Sequence, residues 1–118
     1  MIIRSAQFSA LASESERAFV NRVLQFMHDE FPDSLDIPEP EFRNEITAQI
    51  RKAESYNLRT EQQIATYVAA AYLLGNTFDQ QFPAAREVLP SALYTSDEKM
   101  EWLDSWVRAL FETLDKGQ

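Results

Sequence analysis

Apolar residues recur at steps of three and four over residues 13–31. Phe19, Val23, Phe26 and Met27 share one side, and Val20, Leu24 and Phe31 widen the stripe. That period predicts an amphipathic helix. Ser13 and Ser15 are available N-caps, and Glu14 and Glu16 fall in the first turn, where the helix dipole favours acids. Pro32 and the polar Asp33-Ser34 end it. The preceding MIIRSAQFSALAS is mildly apolar. It reads either as a short helix capped by Ser5 or Ser9 and carrying Phe8 and Leu11, or as an arm that packs on a neighbouring surface. The segment DSLDIPEPE reads as a linker held extended by Pro38 and Pro40, with Pro40 suited to the first turn of the next helix. That second helix is predicted over residues 41–56, with Phe42, Ile46, Ile50, Ala53 and Tyr56 as its buried edge. Gln49 falls inside that edge and needs a partner or a rim position.

The stretch TEQQIATYVAAAYLLGNTFDQQF, residues 60–82, carries the densest signals. Asn57 is a left-handed helix terminator with Leu58 as its apolar plug. Thr60 and Gln63 then form a capping box. Ile64, Tyr67, Val68, Ala71 and Leu74 share one face, while Ala65, Ala69, Ala70 and Leu73 make the other faces apolar. A helix apolar all round is enclosed by neighbours. Gly75 supplies its C-terminal cap. Residues 76–83 read as a loop bearing Phe78 and Phe82, and a short helix over 84–89 stops at Pro90. A last helix is predicted over residues 95–114, opened by a second capping box of Thr95 and Glu98. Its stripe is Met100, Leu103, Val107, Leu110, Phe111 and Leu114. These elements predict an all-α fold: one domain over 1–118, a compact irregular bundle of four main helices plus a short one.

Composition narrows the chemistry. The chain has no cysteine, which removes disulfides, thiolate metal sites and cysteine nucleophiles. The single histidine, His28, falls on the polar side of its helix and is expected to be a solvated surface residue. No nucleotide, metalloprotease or hydrolase fingerprint is present. The acid pairs Asp33/Asp36, Glu39/Glu41 and Asp97/Glu98 read as solvated acids and caps, without the alternation of a calcium loop. Glu30 reads as a rim residue or as the partner of a buried arginine. The expectation is therefore a non-enzyme, with no catalytic residues, no metal and no cofactor. A net charge of −8 repels nucleic acid and anionic membranes and suits a basic protein partner. Arg51, Lys52 and Arg59 are too few to reverse it. The start shows no signal-peptide pattern and no run approaches a membrane span, so the cytoplasm is the expected compartment.

A protein partner is the better candidate. By helical spacing Trp102 projects about 130° from the last helix's apolar stripe and Trp106 about 90°. Ser105 and Ala109 lie beside them. Two tryptophans among small residues have the composition of an interface hot spot. With Phe78 and Phe82 from the preceding loop, Trp102 and Trp106 form the candidate partner-binding set. The competing reading is that the short helix and the Phe82 loop cover this face within the monomer. A homodimer through the tryptophan face is the remaining alternative.

The order of residues also carries a resemblance. An FP pair follows the first helix. Then comes I-x3-I-x2-A-x2-Y-x-L-x-T-E (Ile46, Ile50, Ala53, Tyr56, Leu58, Thr60, Glu61), followed by Y-V-x4-L-L-G-x2-F-D (Tyr67, Val68, Leu73, Leu74, Gly75, Phe78, Asp79). Near the start stands AQ-x2-AL (Ala6, Gln7, Ala10, Leu11). This resembles a family of small bacterial proteins encoded in type VI secretion effector clusters, beside the spike protein VgrG, an adaptor chaperone and the effector. The likeness spans residues 5–79, and its motifs are mostly core and cap residues. Family members often have a more basic second helix, of which Arg51 and Lys52 keep part. The resemblance implies an accessory or co-chaperone role, binding an adaptor or effector before loading on the spike. It carries over no catalytic residues. The alternative is an immunity protein that neutralises a cognate toxin.

Overall fold

The hydrophobic period of the first helix is realised as α1, Ser9–Glu30, which begins earlier than its serine caps suggest. The computed structural model describes the backbone of residues 9–116 and the side chains of residues 16–110 and Glu112. The candidate caps Ser5, Ser9, Ser13 and Ser15, the Phe8 and Leu11 contacts, the AQ-x2-AL motif and the ends of the last stripe, Phe111 and Leu114, lie outside the described side chains. On α1, Val20, Val23, Leu24 and Met27 are buried. Phe26 is 37% exposed and lies off the core side. Glu30 is exposed, which makes it the rim residue of the two readings.

The proline segment differs from the extended linker expected. Pro32–Asp36 winds into a 3-10 turn, because Pro32 has its φ preset and the Ser34 and Ile37 amides donate to the Phe31 and Ser34 carbonyls. Ser34 is buried there, and His28 Nδ1 lies 2.8 Å from its Oγ. His28 is thus half-buried against Ser34 and 5.5 Å from the Phe42 ring, not the solvated residue expected. The turn folds back onto the end of α1 and so places a partner where helical spacing alone leaves open water. α2, Glu39–Ser55, comes next, with Pro40 in its first turn. Arg43 donates to Asn21 and pairs with Glu39 at its exposed start.

The chain falls into two compact units, up to Thr47 and from Ala48, with the division inside α2. In the first, Phe42 and Ile46 of α2 join the buried residues of α1. In the second, α2 ends as the sequence predicts: Asn57 has φ 68° and the Leu58 amide donates to Ala53 O at 3.1 Å, with Leu58 buried as the plug. α3, Glu61–Leu74, opens on the Thr60–Gln63 box, with both reciprocal bonds formed. Ile64, Tyr67, Val68, Ala70 and Ala71 are buried, but Leu73 is 40% exposed, so one side of α3 reaches the surface. Gly75 ends the helix at φ 112°. A Cβ there meets nothing within 4 Å, so the backbone angle rather than space requires glycine.

The predicted loop over 76–83 is instead a single turn of helix, α4, Phe78–Gln81, leading into α5, Pro83–Val88. One turn is too short to register as a hydrophobic period, which is why it reads as loop. α6, Ser96–Lys116, starts on the Thr95–Glu98 box, again with both bonds present. Leu103 is buried, while Met100, Val107 and Leu110 are half-buried. The fold is all-α: among the described residues there is no strand, and four helices of 22, 17, 14 and 21 residues account for most of the chain. Among the described residues no helix is long and apolar enough to cross a membrane.

Candidate protein-binding face

The site is built on α6. Residues four apart on a helix stack one above the other, and Trp102 and Trp106 do so with ring centroids 4.9 Å apart and planes at 15°. Two rings from α4 and its exit hold Trp106 in place. Phe82 meets it edge-on at 5.2 Å, and Phe78 lies 6.3 Å away. Phe78 in turn contacts the Tyr67 ring at 5.1 Å, and Tyr67 that of Tyr56 at 6.0 Å. A continuous run of rings therefore leads from the buried interior of the second unit to its surface. Both tryptophans and Phe82 are half-buried, whereas Phe78 is 0% exposed. Of the four candidate residues the structure brings together, Phe78 supports from beneath and the other three offer surface. Correcting the sequence reading, Phe78 is core rather than a loop aromatic.

Beside Trp102 lies an open groove of about 530 Å³, lined by Val88, Tyr94, Glu98, Glu101, Trp102 and Ser105. Tyr94 is 45% exposed. The neighbouring Leu93, in the connection that precedes α6, is among the most exposed apolar residues described. The sequence does not single out Val88 and Tyr94. Neither belongs to a periodic stripe, and only the chain's course between α5 and α6 brings them to Trp102.

Beneath the rings sits a buried polar network that the sequence pattern does not reveal. The Asp79 carboxylate is fully enclosed; it accepts from Lys52 Nζ at 2.9 Å and from Tyr56 Oη at 2.5 Å. Lys52 also donates to the Asn76 carbonyl, as does Gln49 Nε2, which gives that buried glutamine a partner for its amide nitrogen, while its Oε1 is buried with no hydrogen-bond partner among the described residues. Lys99 is buried on the α6 stripe and donates to the Tyr56 carbonyl at 3.0 Å. One available signal was its spacing, four residues before Leu103. Asp97 accepts from Gln63, so the Asp97/Glu98 pair does serve caps and connections. The network ties α4 to α2 and thereby fixes where Phe78 and Phe82 point. Because Asp79 is sealed from solvent, it has no route to a substrate proton. The His28–Ser34 pair in the first unit is likewise structural, since Ser34 is fully buried. Among the described residues, no three of His, Cys, Asp or Glu gather in a group able to hold a metal ion.

The network sets a pH dependence. Burial, reinforced by the Asp79 hydrogen bond and charge, raises the Tyr56 hydroxyl far above its ordinary 10.0. Burial, the Asp79 charge and Tyr56 do the same for Tyr67. Above pH 10 the unfolded chain releases both protons while the folded chain keeps them, so stability falls by up to about 1.4 kcal/mol per pH unit for each tyrosine. Burial lowers Lys99 below its ordinary 10.5, so its contribution has the opposite sign and rises with pH up to that value. Tyr67 Oη is buried with no hydrogen-bond partner among the described residues. Tyr67→Phe should therefore leave stability at pH 7 unchanged or raise it by up to about 1 kcal/mol. It should also halve the alkaline loss due to the pair. Urea midpoints at pH 7 and pH 11 test both; a large loss at pH 7 overturns the assignment of an unpartnered hydroxyl.

Compared with protein-family models, with curated proteins and with solved structures, the chain matches none.

Proposed function

We propose that this protein is a non-enzymatic accessory protein of type VI effector delivery, acting in the cytoplasm by holding a surface of an adaptor chaperone or effector until assembly on the spike. The observation that carries a binding role is the stacked, half-buried Trp102–Trp106 pair, backed by Phe78 and Phe82 and bordered by an open groove. Rigid aromatic side chains seated in a packed base lose little entropy on binding, and such residues dominate interface energetics. The class of partner comes from the family resemblance over residues 5–79.

Co-expression with the products of neighbouring genes tests this. The wild-type protein should co-purify with the adaptor or effector. Trp102→Ala should weaken that binding at least 30-fold, on the order of 2 kcal/mol. Its melting temperature should change by only a few degrees. Absence of binding to any neighbouring product overturns the reading, and collapse of the Trp102→Ala fold shows that ring to be core. The second reading, an immunity protein against a basic toxin, is favoured by the net charge of −8. It predicts that the protein suppresses the lethality of a neighbouring toxin gene, which an accessory protein does not.

A further inference from the structure

We infer that the groove beside Trp102 takes an arginine or lysine side chain from a basic segment of the protein partner. This rests on the reading of the tryptophan face as a partner-binding surface. The groove offers two aromatic rings, Trp102 and Tyr94, together with two carboxylates, Glu98 and Glu101, and its lining has no cationic residue. An aromatic face flanked by carboxylates is the environment that attracts guanidinium and ammonium groups, through the ring quadrupole and the adjacent negative charge.

The described cations of α6 do not neutralise it. Lys99 is buried and engaged with the Tyr56 carbonyl, and Arg108 pairs with Asp104 at 2.7 Å. Glu98 Oε1 accepts from the Thr95 amide, which orients its carboxylate without removing its charge. The stack on Trp106 holds the Trp102 ring, so the aromatic surface is formed before any partner arrives. A groove of about 530 Å³ exceeds one side chain and accommodates a short stretch of main chain around the cation. The same two carboxylates repel phosphate, which disfavours nucleic acid and anionic lipid at this position.

Trp102 and Trp106 are the only tryptophans, so intrinsic fluorescence reads the site directly. The probe is a short peptide alternating arginine and alanine, with a counterpart in which citrulline keeps the shape and removes the charge. The arginine peptide should change the emission saturably, and the citrulline peptide should bind at least tenfold more weakly. Glu98→Gln with Glu101→Gln should weaken the arginine peptide about tenfold. Glutamine preserves the capping box at position 98, so the melting temperature should hold. Removing two exposed acids of the first unit, Asp29→Asn with Glu45→Gln, should leave binding unchanged. Equal binding of both peptides, no saturable response, or equal weakening by the Asp29/Glu45 pair overturns the inference. If the co-purifying adaptor or effector is lost with Trp102→Ala but kept by the Glu98/Glu101 double variant, the face binds by apolar contact. That outcome overturns the cationic inference and leaves the accessory role standing. If no neighbouring product binds, the accessory role fails, while a saturable arginine-specific response still supports the groove.

Discussion

Phe78→Ala should lower the free energy of unfolding by about 4 kcal/mol, the range for deleting a fully buried phenylalanine. The ring is wholly enclosed between Tyr67 on one side and Trp106 on the other. Its removal leaves a cavity that α4 cannot fill by shifting, because Asp79 next to it is pinned by Lys52 and Tyr56. A four-residue helix has almost no stability of its own, so α4 depends on that anchor. The effect should therefore spread to the face: Trp106 loses one of its two supporting rings, and the near-ultraviolet dichroism of the stacked tryptophans should weaken. Phe82→Ala is the comparison. Phe82 is half-buried and meets Trp106 in a T-shaped contact, so its loss should cost roughly half as much. Urea unfolding monitored by far-ultraviolet dichroism gives both numbers. A Phe78→Ala loss under about 1 kcal/mol means that α4 is not held by this ring.

Local signals in this sequence translate directly into structure. The Thr60–Gln63 and Thr95–Glu98 boxes, the Asn57–Leu58 exit and the Gly75 stop each involve residues within a few positions of one another, and each is formed. The pairing of Trp102 with Trp106 is legible for the same reason. The illegible features depend on residues far apart. Asp79 meets Lys52 across 27 positions, and Lys99 meets the Tyr56 carbonyl across 43. By pattern alone a buried ion reads as a polar surface residue, since only the fold supplies its partner. His28 and Ser34 are only six apart, yet their contact depends on a 3-10 turn in a segment whose prolines suggest an extended chain. Phe78 is a similar case. Its inward course is set by the single turn of α4 and by the neighbouring carboxylate, neither of which leaves a periodic trace.

Asp79→Ala should cost about 3 kcal/mol, through loss of two charge-assisted hydrogen bonds in an enclosed site. The two partners should not contribute equally. Lys52 keeps 29% of its side chain exposed and can return its ammonium to water, so little of the loss comes from stranding that charge. The Tyr56 hydroxyl, 2.5 Å from the carboxylate, makes no other bond among the described residues. Adding Lys52→Met to Asp79→Ala should therefore recover less than about 1 kcal/mol. Adding Tyr56→Phe should recover more, because it removes the donor left without an acceptor. Double-mutant cycles by urea denaturation separate the two couplings, and the larger coupling energy should belong to Asp79–Tyr56. Because the carboxylate holds α4 and not the tryptophans themselves, Asp79→Ala protein that remains folded should bind its partner more weakly through a displaced Phe82. The same variant keeps the Phe78 ring, so the dichroism of the Trp102–Trp106 stack should weaken less than in Phe78→Ala. A variant that loses about 3 kcal/mol yet keeps full partner affinity would show that the network serves the fold alone and that the orientation of Phe82 does not matter to the face.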